Sequence, residues 1–182
     1  MGRLIGLVIM LLALAGLLVA ALPVGSSGPA SQSGASQGAP PTTEPLAIVV
    51  NRSNPVNGLT MAELRRVFLG ERSHWPNDRR ITIVMRQPGE PERKTMLRDV
   101  YQMDEGALKN HFLRGLFTGE ILVSPKVLAS AVGVKKFVFN VPGAIGYMRL
   151  SDVDGTVKVI RIDELLPEDK KYKLHVEGRP AS

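Results

Sequence analysis

Hydrophobic positions in most of the chain form short apolar runs separated by stretches with helical spacing. Residues 46–50 form an uninterrupted apolar run rich in β-branched side chains, which predicts a buried strand. Residues 81–85 predict a second strand, and Ile145 and Tyr147 alternate as in a third. A turn signal precedes residues 157–162, which predict a single fourth strand.

Helix signals lie between these strands. Thr60 and Glu63 form a Thr-x-x-Glu capping box, so a helix is predicted to begin at Met61 and to end near Gly70. Pro91 suits the first position of a second helix. The apolar face of that helix is made of Met96, Leu97, Val100 and Tyr101.

Further helical stretches are predicted before the third strand. Asp104 is placed to cap one helix. Ser124 followed by Pro125 repeats the pattern of a cap and a first-turn proline, which predicts a helical stretch that Gly133 interrupts. Residues 134–141 have helical spacing, and we prefer a helix there over a strand. The whole order of elements predicts a three-layer α/β domain.

The N-terminus differs from the rest of the chain. Arg3 precedes an apolar run over residues 4–22, which predicts an export signal. The run is longer than the roughly 7–15 apolar residues of a usual signal peptide and approaches the roughly 20 that span a bilayer. The sequence therefore leaves open whether the run is cleaved off or whether residues 1–22 are retained as an inner-membrane anchor. Either outcome places the following chain in the periplasm or another extracytoplasmic space.

Residues 23–45 consist almost entirely of small and polar residues and predict a disordered linker rich in Gly, Ser, Pro and Gln. Residues 46–182 are then expected to form a single domain. A body of this size buries enough apolar surface for a core without disulfides, and the chain contains no cysteine.

The formal net charge of +6 comes from basic residues scattered along the chain, mostly in pairs. Few aromatic residues accompany them, so no nucleic-acid-binding surface is predicted. Most of these basic pairs are expected to lie on the solvent-exposed surface. The excess positive charge also favours attraction toward anionic envelope surfaces or anionic ligands.

No set of catalytic residues is evident in the sequence. The three histidines, His74, His111 and His175, lie far apart, so no metal site is predicted. The serines lack the Gly-x-Ser-x-Gly context of an exposed nucleophile, and glycine-rich nucleotide loops are missing. The chain is therefore predicted to be noncatalytic and to use no metal or cofactor.

Three motifs occur in order along residues 46–165. Residues 59–70 read LTMAELRRVFLG and are followed by WPND; residues 81–86 read ITIVMR and lead into QPG; residues 142–147 read PGAIGY. Together they resemble the phosphate-binding, substrate-capturing component of bacterial ABC transporters, especially its short single-domain relatives. The resemblance implies one lobe of a type II periplasmic binding protein that captures a small anion.

The resemblance also implies where an anion binds. In the family, an arginine that ends a strand is followed by Ser-Gly-Thr at a helix start, which supplies a guanidinium, hydroxyls and free amides to phosphate. This chain keeps Arg86 but has Glu90-Pro91-Glu92 in place of that triplet. The candidate anion-binding residues are Arg86, Gly89, Ser53, Asn54 and Thr95. For Arg86 the alternative is an ion pair with one of the two glutamates, and for residues 51–54 it is ordinary turn chemistry.

Two functions follow as hypotheses. The first is capture of a phosphate-like anion for transport or sensing, with a transporter permease or another envelope protein as partner. A carboxylate about 4 Å from a bound anion disfavours it by about 4 kcal/mol at an effective dielectric near 20, which opposes this hypothesis. The second is a membrane-tethered interaction module that kept the fold but lost the ligand. A single lobe leaves an anion open to water, so we expect low affinity or a partner that supplies the other wall; the oligomeric state is not predicted.

Overall fold

The computed structural model describes residues 43–178. The predicted signal peptide or anchor at residues 1–22, and residues 23–42 of the predicted linker, lie outside the described residues. The first strand begins at Thr43, three residues earlier than predicted, so residues 43–45 belong to the strand and not to the linker.

Eight strands and four α-helices are described. The main sheet contains β1 Thr43–Asn51, β3 Thr82–Arg86, β4 Lys126–Leu128, β5 Ala144–Arg149, β6 Val157–Val159 and β8 His175–Glu177. A separate pair is formed by β2 Gly58–Leu59 and β7 Arg161–Ile162. The helices are α1 Met61–Phe68, α2 Pro91–Thr95, α3 Glu105–Thr118 and α4 Ala131–Asn140. A π-helical segment, Met96–Tyr101, continues α2, and a short 3-10 turn, Leu150–Asp152, follows β5.

The strand directions determine which chain ends meet. The sheet order is β4-β3-β5-β1-β6, with β8 beside the first residues of β1. Strand β3 is parallel to β4 and β5, whereas β1 is antiparallel to β5, β6 and β8. The strands β3, β4 and β5 therefore end where β1 begins. We call this the Arg86 end of the sheet and the opposite one the Asn51 end.

Both faces of the sheet are covered, which gives the three layers predicted from the sequence. Leu46, Ile48 and Val50 of β1 point to a core shared with α1, the π-helical segment and α3. Ala47 and Val49 point to a smaller core with α4. The uninterrupted apolar run of β1 follows from this, because a strand with helices on both faces has no solvent-facing positions.

Three of the local helix signals are confirmed. The Thr60 hydroxyl accepts a bond from the Glu63 amide at 3.2 Å, and the Glu63 carboxylate accepts one from the Thr60 amide at 2.8 Å. Helix α1 begins at Met61 and α2 at Pro91. Asp104 caps α3 by accepting a bond from the Ala107 amide at 2.7 Å.

Two element predictions are wrong. The helical stretch predicted after Ser124 and Pro125 is strand β4, which pairs in parallel with β3. The cap signal belongs instead to Ser130, whose hydroxyl accepts a bond from the Gly133 amide at 3.0 Å. Gly133 therefore lies in the first turn of α4 and does not interrupt it. Residues 126–128 form a strand because they pair with the distant strand β3, and the local spacing of apolar residues does not reveal that pairing.

The strand predicted over residues 157–162 is divided at Ile160. Strand β6 pairs with β1, after which the chain crosses over so that β7 pairs in parallel with β2. The face alternation persists through the break: Val157 lies in the α4 core, whereas Ile160 and Ile162 lie in the larger core.

The motifs WPND and PGAIGY meet in the structure. The indole of Trp75 is buried and donates a hydrogen bond to the carbonyl of Gly143 at 2.9 Å, which also accepts one from the Thr82 amide at 3.0 Å. A Cβ added at Gly143 would lie 2.1 Å from the carbonyl oxygen of Arg80, so only glycine fits this turn. This contact fixes the start of β5 against the start of β3.

Candidate functional site

Arg86 is the last residue of β3 and lies at the Arg86 end of the sheet, where only 7% of its surface is exposed. The turn that follows contains Gly89 with φ +91, a left-handed conformation that favours glycine, and leads into α2 at Pro91. Gly89 thus turns the chain so that the residues of the first turn of α2 come back beside the Arg86 side chain.

The guanidinium of Arg86 faces two carboxylates. Its Nη2 donates to Glu90 Oε2 at 2.6 Å, and its Nε lies 3.8 Å from Glu92 Oε2, which is beyond hydrogen-bond length. The ion pair considered as the alternative role of Arg86 is therefore present. Its Nε and Nη1, and Glu92 Oε2, are buried and make no hydrogen bond with any residue in the described range.

Arg149 is a second buried arginine at this end of the sheet. It is the last residue of β5, which runs parallel to β3. Its Nε donates to Glu92 Oε1 at 2.6 Å, and its Nη1 donates to Glu44 Oε2 at 3.1 Å. Glu92 thus joins the two arginines, one through each of its carboxylate oxygens.

Glu44 reaches this cluster from the first residues of β1. Its Oε1 accepts a hydrogen bond from the Ser151 amide at 3.0 Å. Burial acts to raise the pKa of Glu44, but the hydrogen bonds from Ser151 and Arg149 outweigh it and lower the pKa below its usual value. Glu44 is therefore held in its charged form.

A second layer of contacts fixes the Arg86 backbone. Arg93 Nη1 donates to the carbonyl of Arg86 at 2.8 Å, and the Arg86 amide donates to the hydroxyl oxygen of Tyr147 at 3.0 Å. Burial raises the pKa of the Tyr147 hydroxyl and outweighs the Arg86 hydrogen bond that lowers it, so this hydroxyl stays neutral. Burial acts to lower the pKa of Arg93, but bonds to Glu105 at 2.7 Å outweigh it, so Arg93 stays charged.

Arg86, Arg149 and the two glutamates of α2's first turn border a cleft of about 340 Å³. Its walls are the first turn of α2, the end of β5 and the first residues of α4; the lining residues are Arg86, Glu90, Pro91, Glu92, Ala129, Ser130, Ala131, Arg149 and Gly178. The two arginines and two glutamates in this lining balance in formal charge, and Glu44 adds a further carboxylate behind Arg149. The cleft thus offers both donors and acceptors without an excess of positive charge.

Thr95 lies on α2 near this cleft but does not line it. Its hydroxyl is buried and donates to the carbonyl of His175 at 3.1 Å, which ties α2 to β8. Its observed contact is structural.

Ser53 and Asn54 lie at the Asn51 end of the sheet, away from Arg86. Asn51 is level with the first residues of β5 and β3, and Arg86 is four residues further along β3, or about 13 Å at about 3.3 Å per residue. The structure therefore does not bring Ser53 and Asn54 together with Arg86 in one site.

The loop that contains Ser53 is held by turn chemistry. Asn51 Nδ2 donates to the carbonyls of Val138 and Phe139 at 2.9 and 2.6 Å, and Asn51 Oδ1 accepts bonds from Ser53 at 2.9 and 2.8 Å. Asn54 Oδ1 accepts a bond from the Val56 amide at 2.9 Å. These bonds fasten the loop to the last turn of α4.

Other classes of site receive no support from residues 43–178. In that range, no group of three or more His, Asp or Glu side chains is placed to hold a metal ion. The same range contains no helix with the length and apolar character needed to cross a bilayer.

A family model described as a PBP superfamily domain matches residues 24–174. The chain is 29% identical over 130 residues to the phosphate-binding protein PstS of Bacillus subtilis strain 168, which covers 69% of this chain and 38% of that protein. The chain therefore spans well under half the length of this curated relative.

Two solved structures have a similar fold. A putative phosphate ABC transporter substrate-binding protein with bound phosphate from Clostridium perfringens aligns with a TM-score of 0.60 and 21% identity, over 75% of this chain and 56% of that one. An ABC-type phosphate transport receptor from Vibrio cholerae aligns with a TM-score of 0.58 and 23% identity, over 75% and 55%. These alignments confirm the α/β lobe predicted from the sequence.

Proposed function

Because the chain belongs to the PBP superfamily, we propose that it is an exported, noncatalytic binding protein that holds a small phosphate-like oxyanion in the cleft beside Arg86, for transport or sensing. The observation that carries the proposal is the pair of buried donors on Arg86, Nε and Nη1, that lack a hydrogen-bond partner among the described residues. A buried guanidinium with free donors is costly unless an acceptor approaches it, and an oxyanion supplies several.

The chemistry of the cleft also selects among oxyanions. Glu92 Oε2 is a buried acceptor without a donor, and it lies beside the unpartnered Arg86 Nε. A ligand that carries both a charged oxygen and a hydroxyl, such as hydrogen phosphate, satisfies both groups. A fully deprotonated oxyanion such as sulfate offers no proton to Glu92, so we expect it to bind more weakly.

The affinity is expected to be low. Each of the two arginines already contacts an internal carboxylate, at 2.6 Å in both cases. An incoming anion must share these donors with Glu90 and Glu92 and meets their negative charge. We therefore propose binding in the millimolar range for the chain alone, with a tighter complex where a partner covers the open side of the cleft.

Phosphate is the first ligand to test, because the Clostridium perfringens protein is described with bound phosphate. The test is isothermal calorimetry on the purified full chain with phosphate, sulfate and other oxyanions at millimolar concentration. Phosphate should release heat, and Arg86→Gln should abolish it. Arg98→Gln is the matched control, because Arg98 is 64% exposed in its side chain and pairs with Asp99 outside the cleft. Absence of heat with every oxyanion rejects anion capture.

The second candidate is an interaction module that kept the lobe but no longer binds a ligand. The observation that favours it is the closed set of ion pairs, since Glu90, Glu92 and Glu44 neutralise the arginines from within the chain. Under this hypothesis a partner recovered from the cell envelope remains bound to the Arg86→Gln variant. Loss of every partner with that variant contradicts it.

A further inference from the structure

A group of exposed apolar side chains lies at the end of α3 and in the segment that leads into β4. Leu113, Leu116 and Phe117 occupy positions i, i+3 and i+4 of α3 and so share one face of the helix. Phe117 is 86% exposed and Leu122 is 61% exposed. We call this surface the α3–β4 patch; it consists of Leu113, Leu116, Phe117, Leu122, Val123 and Val127.

The side chains of the α3–β4 patch have no cover in the described part of the chain. Leu113, Leu116 and Val127 line one groove of about 600 Å³, the floor of which includes Met85 and Phe112. Strand β4 is the last strand of the sheet on this side, and it pairs only with β3 in residues 43–178. An apolar patch of this kind with a polar rim marks an interaction surface.

The charges around the patch indicate what binds there. Lys109, Arg114 and Lys126 are exposed and form no ion pair with a described residue. Residues 105–127 contain two acidic residues; Glu105 is paired with Arg93, and Glu120 remains. The rim is therefore positively charged. A second copy of the chain would bring like charges together across a two-fold axis, which disfavours self-association.

We propose that the α3–β4 patch binds the surface of an anionic lipid bilayer. Phe117 and Leu122 enter the boundary between headgroups and acyl chains, and the three cations contact the lipid phosphates. Surfaces that combine exposed Phe and Leu with Lys and Arg bind membranes in this way, and each cation near an anionic surface strengthens binding by about fivefold.

The placement of the patch has a consequence for the cleft. Val127 is paired with Met85 and Leu128 with Arg86 in the sheet, so the patch and the Arg86 cleft lie at neighbouring positions of β4. Membrane contact through the patch thus holds the cleft close to the bilayer.

The test uses the full chain in vesicles whose acyl chains carry bromine, which quenches tryptophan fluorescence on contact. Trp75 is the single native tryptophan and is 3% exposed, so it contributes a constant background. Phe117→Trp reports on the patch, and Phe139→Trp is the matched control because Phe139 is 53% exposed on α4. The vesicles contain phosphatidylglycerol with phosphatidylcholine, or phosphatidylcholine alone.

We expect the Phe117→Trp emission to shift to the blue and to be quenched in phosphatidylglycerol vesicles, while the Phe139→Trp emission is unchanged. Replacing Lys109, Arg114 and Lys126 with Gln in the Phe117→Trp chain should weaken membrane contact by on the order of 100-fold. High salt should act in the same direction. Equal quenching at both positions, quenching that does not need phosphatidylglycerol, or no quenching at Phe117→Trp overturns the proposal. A blue shift that depends on protein concentration without lipid indicates self-association and overturns it as well.

Discussion

Glu90→Gln is expected to increase the affinity for phosphate. Glu90 is the carboxylate closest to Arg86, at 2.6 Å, and it forms part of the cleft lining. Glutamine keeps an oxygen that accepts the Arg86 hydrogen bond but removes the charge that an incoming anion meets. The Glu90 side chain is 26% exposed, so solvent can reach the new amide group and the substitution adds no further buried group without a partner.

The size of the effect follows from the Coulomb energy. Two like charges about 4 Å apart repel by about 4 kcal/mol at an effective dielectric of 20 and by about 1 kcal/mol in bulk water. Because Glu90 is partly exposed and the cleft is open, the value should lie in the lower half of this range. This is about 1 to 2.5 kcal/mol, so Glu90→Gln should tighten phosphate binding by about 5- to 70-fold.

Calorimetry with phosphate on the full-length wild type and Glu90→Gln measures this change. Glu71→Gln is the matched control, since Glu71 is 49% exposed in its side chain and pairs weakly with Arg66 at 3.8 Å, outside the cleft. Adding Arg86→Gln to Glu90→Gln should remove the gain. If Glu90→Gln binds phosphate no more tightly than Glu71→Gln does, the carboxylates are not what limits anion binding and the reasoning is wrong.

Three further predictions concern the scaffold of the site and can be measured by urea denaturation. Arg149→Met leaves the buried Glu92 without its hydrogen-bonded partner and should cost about 3–5 kcal/mol of unfolding free energy; a loss below 1 kcal/mol, on the order of a surface pair, contradicts it. Gly143→Ala places a Cβ 2.1 Å from a backbone carbonyl oxygen and should cost about 3 kcal/mol, whereas Gly155→Ala, with nothing within 4 Å, should change stability little. The pKa of Glu44 is lower in the folded chain than its usual value of 4.5, so the stability that Glu44 contributes is complete above about pH 4.5 and is lost as the pH falls through the folded pKa. Glu44→Gln should therefore flatten the dependence of the unfolding free energy on pH in this range. An unchanged pH profile refutes the assignment.

The sequence predicts those elements whose signals are local. The reciprocal bonds of Thr60 and Glu63, the proline at the start of α2 and the Asp104 cap all lie within one helical turn of the boundary that they define. The three ordered motifs likewise identify the family, because each is a short contiguous stretch.

Pairing between distant strands is not visible in the same way. Strand β4 has three residues and is a strand because it lies beside β3, and the break at Ile160 arises because the chain exchanges β1 for β2 as its neighbour. Such choices depend on the assembled sheet, which local propensity does not encode.

Strand direction explains the outcome at the candidate site. Arg86 was identifiable because it ends a clear strand. Ser53 and Asn54 follow β1, and the rule that ligand loops gather at the carboxyl ends of strands holds for parallel strands. Because β1 is antiparallel to β5, its carboxyl end lies at the other end of the sheet. The same reversal brings Glu44, at the start of β1, beside Arg149. Sequence spacing alone reveals neither this contact nor the separation of Ser53 and Asn54 from Arg86.

The position of β1 determines how the fold responds to mechanical force. Strand β1 follows directly on the N-terminal part of the chain and is bonded along its length to β5, β6 and β8. A pull exerted along β1 from its N-terminus, against the body of the fold, loads the five β1–β5 residue pairs together in shear. These bonds must then break at once, whereas a pull that separates the two ends of the domain opens the β1–β8 pairs one after another. The fold should thus resist a pull along β1 against its body better than a pull that separates its two ends.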